Sequence, residues 1–512
     1  MKWKLTRRNI LLLICCIYAA EATPCISRDY GNGGTVCVCN GTYCDSTPEY
    51  EVPDVGSYIR YTSSEDGLPL SMTQGVFDDG NTSADIILRL EPDITYQRIH
   101  GFGGAMTDSA AINIKSLSEG AQENVLRSYF GEEGSEYNLV RVPIAGTDYS
   151  IRIYTYDDYD GDVSLEKFSL ADEDLIYKIP LMQKALELNP RLRFFAASWT
   201  APSWMKTNDY YLCQDGFLLE EYYQVYADYI IKFMDEYKEH GLEMWAISTG
   251  NEPVNGILPE SIYNCMAWTP QGIANWVAEN LGPTISRSNH SETLIFTLDD
   301  QRSRLSWFVE EMFENELAKN YTAGIAVHWY FDQMSSTNLL DETHSNYSDK
   351  FLLLTEAAIW NATADTYVSL GCWDRAEQYI LDIIENLEHW VTGWVDWNLA
   401  LDIDSGPAWD NNTLDASIVV NADEDEFYKQ PMFYAIAHFS KFIPRESVRV
   451  ELSMSQDETS VKSVAFKTPE NETVLVIYNM STEEQQVTVS DPERGNFTLQ
   501  LPYKSIQTIL YK

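Results

Sequence analysis

The chain has 512 residues, 45% hydrophobic and 13% aromatic, which excludes a disordered polypeptide and allows a large core spread over more than one domain. Its formal net charge of −43 repels nucleic acid and anionic membrane at neutral pH, a repulsion that protonation in an acidic lumen would relieve. With seven His and no His/Cys/Asp cluster of metal-ligand spacing, neither a metal nor an organic cofactor is expected; there is no Ser–His–Asp elbow either.

The first residues read as a secretory signal peptide over 1–22. Lys2, Lys4, Arg7 and Arg8 form a basic start, residues 10–20 an apolar run, and Ala20-Glu21-Ala22 a small-x-small cleavage pattern. The run is far short of the roughly twenty apolar residues that span a bilayer, and no later stretch reaches that length, so no transmembrane segment is expected. Cys25, Cys37, Cys39 and Cys44 follow, and an oxidising compartment makes them two disulfides, with zinc the weaker alternative. A Cys37–Cys39 bridge is disfavoured because residues i and i+2 of an extended strand stand too far apart; the other two pairings stay open. Cys213, Cys265 and Cys372 are expected as buried thiols. Ten N-x-[ST] sequons, at Asn40, Asn81, Asn289, Asn320, Asn346, Asn361, Asn411, Asn471, Asn479 and Asn496, agree with passage through the secretory pathway.

Segments "SYIRYTSS" and "ADIILRLEP" within residues 50–96 alternate with the period of strands. Eight apolar strand candidates follow, at 97–106, 138–146, 192–198, 243–249, 293–300, 324–331, 351–358 and 394–401. Helical stretches such as 220–241 and 374–390 lie between them, and Thr269-Pro270 caps another. Eight βα repeats over about 300 residues predict a (β/α)8 TIM barrel. A doubly wound open sheet is the alternative, weakened by the lack of a phosphate-cradling glycine loop. The C-terminal segments "VRVELSMS", "SVAFKT", "TVLVIYN", "QQVTVS" and "FTLQLPYK" predict an antiparallel β-domain that pairs with residues 50–96.

A barrel carries its chemistry at the C-terminal ends of its strands. The polar residues found there are Asp148 after strand two and Trp199 after strand three. Asn251 and Glu252 follow strand four, Asp299 and Arg302 strand five, and His328 with Tyr330 strand six. Glu356 ends strand seven, and Trp397 with Asn398 strand eight. Two carboxylates among tryptophans and amides suit glycoside hydrolysis, in which one acid protonates the leaving oxygen and the other attacks the anomeric carbon or activates water. Glu356 is the more telling, because a charge ending the apolar run "FLLLT" is costly unless partnered. The plain alternatives are an ion pair inside the barrel for Glu356, a solvated loop acid for Glu252 and a satisfied core histidine for His328.

With these residues in view, the chain resembles the lysosomal acid β-glucosidase (glucocerebrosidase) family of retaining glycosidases. The likeness rests on "PCISRDYGNGGTVCVCNGTYCDS", "GFGGAMTD", "SIRIYTY", "LDDQR", "GIAVHWY", "WNLAL" and "FYKQPMFY…HFSKFIP". The resemblance implies Glu252 as general acid/base and Glu356 as nucleophile. It implies glucose contacts from Asp148, Trp199, Asn251, Trp397 and Asn412, with Arg141, Arg302, His328 and Tyr330 as the shell around the two glutamates. It further implies disulfides Cys25–Cys37 and Cys39–Cys44. The substrate would be glucosylceramide at a membrane surface, with a saposin-type activator and a lysosomal sorting receptor as partners, in the lysosomal lumen or secreted. The implied architecture has three parts: a small disulfide-bearing β-sheet (23–49 with 402–430), an antiparallel β-sandwich-like domain (50–96 with 447–512) and the barrel (97–401 with 431–446). The chain departs from the family at Gly250, where the family carries a Glu, and in the loop 210–221. For a retaining pair, the carboxyls are expected about 5–5.5 Å apart, with Glu252 raised in pKa and Glu356 ionised. A same-fold hydrolase of a steryl glucoside or xylan-type polymer, or a silent sugar-binding protein, are the alternatives.

Overall fold

The structure is a computed structural model describing residues 22–47, 53–78, 84–257, 263–360, 367–455 and 460–512. Residues 1–21 of the expected signal peptide and the sequons at Asn81 and Asn361 lie outside the described residues.

Eight parallel strands close into a barrel: β1 (Gly101–Ala105), β2 (Leu139–Ile144), β3 (Arg193–Ser198), β4 (Met244–Ser248), β5 (Leu294–Gln301), β6 (Thr322–His328), β7 (Phe351–Glu356) and β8 (Val391–Asn398). They pair in chain order, β8 returning to β1, which rules out the open doubly wound sheet. Parallel strands buried on both faces read as continuous apolar runs, which is why each was visible in the sequence. Closure demands glycine at tight points. A Cβ on Gly103 would stand 1.8 Å from the Leu139 carbonyl oxygen, and one on Gly393 2.0 Å from that of Gly101. Thr269 caps the helix Pro270–Trp276 as expected, its hydroxyl accepting the Gly272 N–H at 3.0 Å.

Residues 97–98, assigned above to the first barrel strand, belong instead to Ile86–Arg98, a strand of a nine-stranded sheet. That sheet also takes in Ser57–Ser64, Leu68–Val76 and the six strands between Val448 and Tyr511, so the two ends of the chain interleave. Leu88, Val450, Ile477, Val487, Phe497 and Ile509 form its own core, separate from the barrel's. A five-stranded sheet joins Ser27–Asp29 and Thr35–Asn40 to Glu426–Lys429, Ile418–Asn421 and Leu401–Asp402. Cys25–Cys37 and Cys39–Cys44 bridge its N-terminal end, Cα atoms 5.2 and 4.4 Å apart.

Cys213 and Cys265 are not thiols but a third disulfide, Cα atoms 5.0 Å apart. They lie in the loops after β3 and β4, which neighbouring strands bring side by side and two short pairings, Leu212 with Asn264 and Phe217 with Ala267, hold in register. Cys372 is free and half-buried. Asn479 is buried, its amide donating to three carbonyls (Glu483, Leu501 and Pro502) at 2.9–3.1 Å, so that sequon has no room for a glycan. No helix among the described residues is long and apolar enough to cross a membrane.

Candidate active site

Beyond β4 the chain turns through Gly250 (φ +142°) and Asn251 to Glu252 (φ +45°). The Asn251 N–H donates to the Ser198 carbonyl and the Glu252 N–H to that of Asp299, each at 2.9 Å, pinning the turn to β3 and β5. A left-handed backbone costs an L-residue about 1–2 kcal/mol, and such strain concentrates where a side chain must be aimed. A Cβ on Gly250 would meet nothing closer than 3.8 Å, so its positive φ, not crowding, favours glycine there. Next door β5 bulges at Leu298 (φ +72°) and Asp299 (φ +51°), which turns Asp299 into the barrel.

Asp299 anchors a buried network. Its oxygens accept Arg141 Nη2 at 2.9 Å and the Thr355 hydroxyl at 2.6 Å, and His328 Nε2 lies 3.1 Å away. Burial acts to raise Asp299, but Arg141 and His328 outweigh it and hold the carboxyl well below the ordinary range. Burial acts to lower His328, but Glu356, Asp299 and Glu252 push it up to about 10, so the ring carries charge. Arg141 also donates to Glu356 and, at 2.8 Å, to the Asn251 side-chain oxygen. Its guanidinium lies under Trp199 and Trp397, which stack on each other at 5.1 Å.

The two glutamates face each other at the mouth, an oxygen of each within 4.8 Å of the other. Glu356 accepts the Tyr330 hydroxyl at 2.6 Å as well as Arg141. Glu252 accepts four donors: Gln301 at 2.7 Å and His328 Nδ1 at 3.0 Å on Oε1, and the Tyr263 hydroxyl at 2.8 Å and Asn255 at 2.6 Å on Oε2. The expectation of a raised pKa for Glu252 is therefore overturned. Burial would raise it, but the hydrogen bond and charge of His328, the Tyr263 hydroxyl and Arg141 together set it below the ordinary glutamate value.

The cavity, about 260 Å³, is also lined by Asp148, Trp199, Asn251, Trp397 and Asn412. Asn412 donates to Asp148 at 2.9 Å; burial, then the charges of Asp410 and Glu356, push Asp148 up to about 8. Arg302 does not join the shell around the glutamates. The turn directly after β5 carries it behind the β6 loop, where its guanidinium pairs with Asp332 and, at 2.9 Å, with Glu385. Gln301, Asn255 and Tyr263 were not foreseen. Gln301 could have been, two residues beyond Asp299 on one strand face; the other two lie in a loop without periodicity. Glu252, His328 and Glu356 are close enough to share an ion, but His328 spends both ring nitrogens on carboxylates.

Residues 99–443 match the glycosyl hydrolase family 30 TIM-barrel domain, and residues 446–509 the β-sandwich domain of the same family. The chain is 40% identical over 501 residues to the lysosomal acid glucosylceramidase of Mus musculus, covering 97% of each. It is 39% identical to putative glucosylceramidase 3 of Caenorhabditis elegans, covering 93% of this chain and 92% of that one. Among solved structures, SrfJ from Salmonella typhimurium superposes with a TM-score of 0.81 at 27% identity, covering 89% of this chain and 99% of that one. An eight-stranded barrel with paired glutamates at its mouth, carrying both domains of one family, is a glycoside hydrolase, and the chain belongs to glycosyl hydrolase family 30.

Proposed function

We propose that the chain is a retaining β-glucosidase that hydrolyses glucosylceramide to glucose and ceramide by double displacement. The observation that carries this reading is the closeness of the two carboxyls. Nearest oxygens within 4.8 Å of each other support the short carboxyl separation of a retaining pair, about 5–5.5 Å, over the roughly 6.5–9.5 Å at which an inverting pair seats a water. Glu356, aimed by Arg141 and Tyr330, attacks the anomeric carbon while Glu252 gives its proton to the leaving oxygen. Ceramide departs as the alcohol and glucose stays on Glu356 as an ester. Glu252, now a carboxylate, takes a proton from the incoming water, which releases glucose and restores both groups. Asn251 spends its oxygen on Arg141, which turns its NH2 toward the sugar 2-hydroxyl, a contact that strengthens in the transition state. Asp148 and Asn412 receive the remaining hydroxyls, and Trp199 and Trp397 the ring face.

A lipid aglycone is supported by a trough of about 440 Å³ adjoining the sugar cavity and sharing Tyr330, Phe331 and Trp360 with it. Phe331, Met334 and Trp360 are 43%, 77% and 59% exposed at its rim, large apolar groups placed to meet acyl chains or a membrane surface. The mouse and nematode relatives add support for the substrate. An endolysosomal lumen is proposed with it, supported by the lysosomal mouse relative, and a saposin-type activator and a sorting receptor are proposed on the family resemblance of the sequence alone.

Covalent labelling with a cyclitol epoxide tests the mechanism, with the adduct expected on the Glu356 peptide by mass spectrometry. An unlabelled protein would favour a silent sugar-binding role. Turnover of glucosylceramide in vesicles should exceed that of steryl glucoside and xylan; the reverse order would move the assignment to another aglycone.

A further inference from the structure

The four donors on Glu252 divide by side. Oε1 is closed off by Gln301 and the fully buried His328. Oε2 is held by Tyr263 and Asn255, which both line the cavity, and Asn255 also donates to the Tyr263 oxygen at 2.5 Å. A glycosidic oxygen must reach Glu252 through this same Oε2. The main chain under Tyr263 is fixed from outside the site. Asn264 pairs with Leu212 and donates to the Gly146 carbonyl at 2.5 Å, Cys265 is bonded to Cys213, and Lys206 Nζ donates to the Cys265 carbonyl at 2.8 Å. Asn255 is held in its turn by its own backbone N–H, which donates to the Glu252 carbonyl at 3.0 Å.

We propose that Tyr263 and Asn255 are positioning residues that clamp the cavity-side oxygen of Glu252 as an anion and yield it to the glycosidic oxygen, so that leaving-group protonation is confined to an occupied site in an acidic medium. Donors to a carboxylate favour its charged form, and a protonated carboxyl oxygen accepts them poorly. Tyr263 keeps its own proton throughout. The proton that Glu252 gives comes from solvent and is regained from the attacking water. Glu252 is faced also by His328 from β6, Arg141 from β2, Asp299 and Asp300 from β5, Glu356 from β7 and Tyr330, with Asp148 on the wall of the same cavity. All of these remain in clamp variants, so the clamp is read by difference.

The inference rests on Glu252 as acid/base, which Glu252→Gln tests separately: activity on a substrate with a poor leaving group should be lost while a strongly activated aryl glucoside still forms the glucosyl-enzyme. Full activity of Glu252→Gln would sink that reading whatever the clamp does. With it upheld, Tyr263→Phe and Asn255→Ala, each checked for folding by thermal unfolding, should move the basic limb of the kcat/KM–pH profile upward by about one unit, one lost hydrogen bond to a charged group. A merely structural tyrosine would lower kcat/KM at all pH values and leave the limb in place. An unmoved limb in either folded variant overturns the clamp.

Discussion

The two ends of the barrel are built on opposite principles. The lower interior is an apolar plug to which seven strands each give one buried side chain: Leu139, Phe195, Ala246, Phe296, Ala326, Leu353 and Val395. Phe296 stacks edge-on with Phe351 at 5.2 Å, and Trp245 stacks on Phe351 at 6.1 Å. A few residues higher on the same strands, the interior holds Arg141, Asp299, His328, Thr355 and Glu356, every one buried. Backbone strain gathers there too, at Glu252, Leu298 and Asp299. The plug gains from removing carbon from water, about 25 cal/mol per Å², whereas the upper layer retains charges whose desolvation is offset only by mutual pairing. One end holds the barrel together so that the other can hold unfavourable groups still.

Substitutions at the two ends should separate activity from stability. The largest effect is expected for Glu356→Gln, which should lower kcat by on the order of 10⁴-fold or more while leaving thermal unfolding close to that of the parent, measured by steady-state kinetics and calorimetry. Arg141→Met should lower both quantities. It removes a donor that aims Glu356, which costs roughly 10²–10³ in kcat. It also leaves Asp299 without its arginine, which costs about 3–5 kcal/mol in denaturant unfolding. Phe296→Ala should cost about 3–5 kcal/mol of stability yet leave the kcat/KM of the folded enzyme within a few-fold, because the plug does not touch substrate. A large kinetic loss there would break the division of labour. Thr269→Ala, which removes only a cap, should cost about 1 kcal/mol.

The pH dependence sharpens the same contrast. His328 is raised when folded, so its contribution is complete below its ordinary value of 6.5 and is lost as pH rises through about 10. The melting temperature should therefore fall between pH 7 and 10, and this fall should flatten in His328→Asn. Activity should turn over earlier. If Glu252 is the proton donor proposed above, a carboxyl set below the ordinary glutamate range is progressively emptied as pH rises, so kcat/KM should already decline on the alkaline side of an acidic optimum.

The eight barrel strands were legible because strands buried on both faces need unbroken apolar runs, and Glu356 because a charge ending such a run demands a reason. Glu252 needed its position after the fourth of eight strands before it stood out from any loop acid. Arg302 shows the limit of that reasoning. Three residues from Asp299, it looked like part of the site, but a single turn of backbone carries its guanidinium to Asp332 instead.

Residue pattern by itself determined the barrel, the accessory β-domain and the carboxylate pair, because burial and strand period are written locally along the chain. Tertiary structure alone decided what surrounds that pair. The Cys213–Cys265 bridge spans 52 residues, and Tyr263 and Asn255 reach Glu252 through loop geometry with no periodic trace. Whether Glu252 binds its proton more or less tightly than a free glutamate depends on the balance between burial and four converging donors. Those donors come from the β4 loop, β5 and β6, and only the closed barrel brings them to one carboxyl.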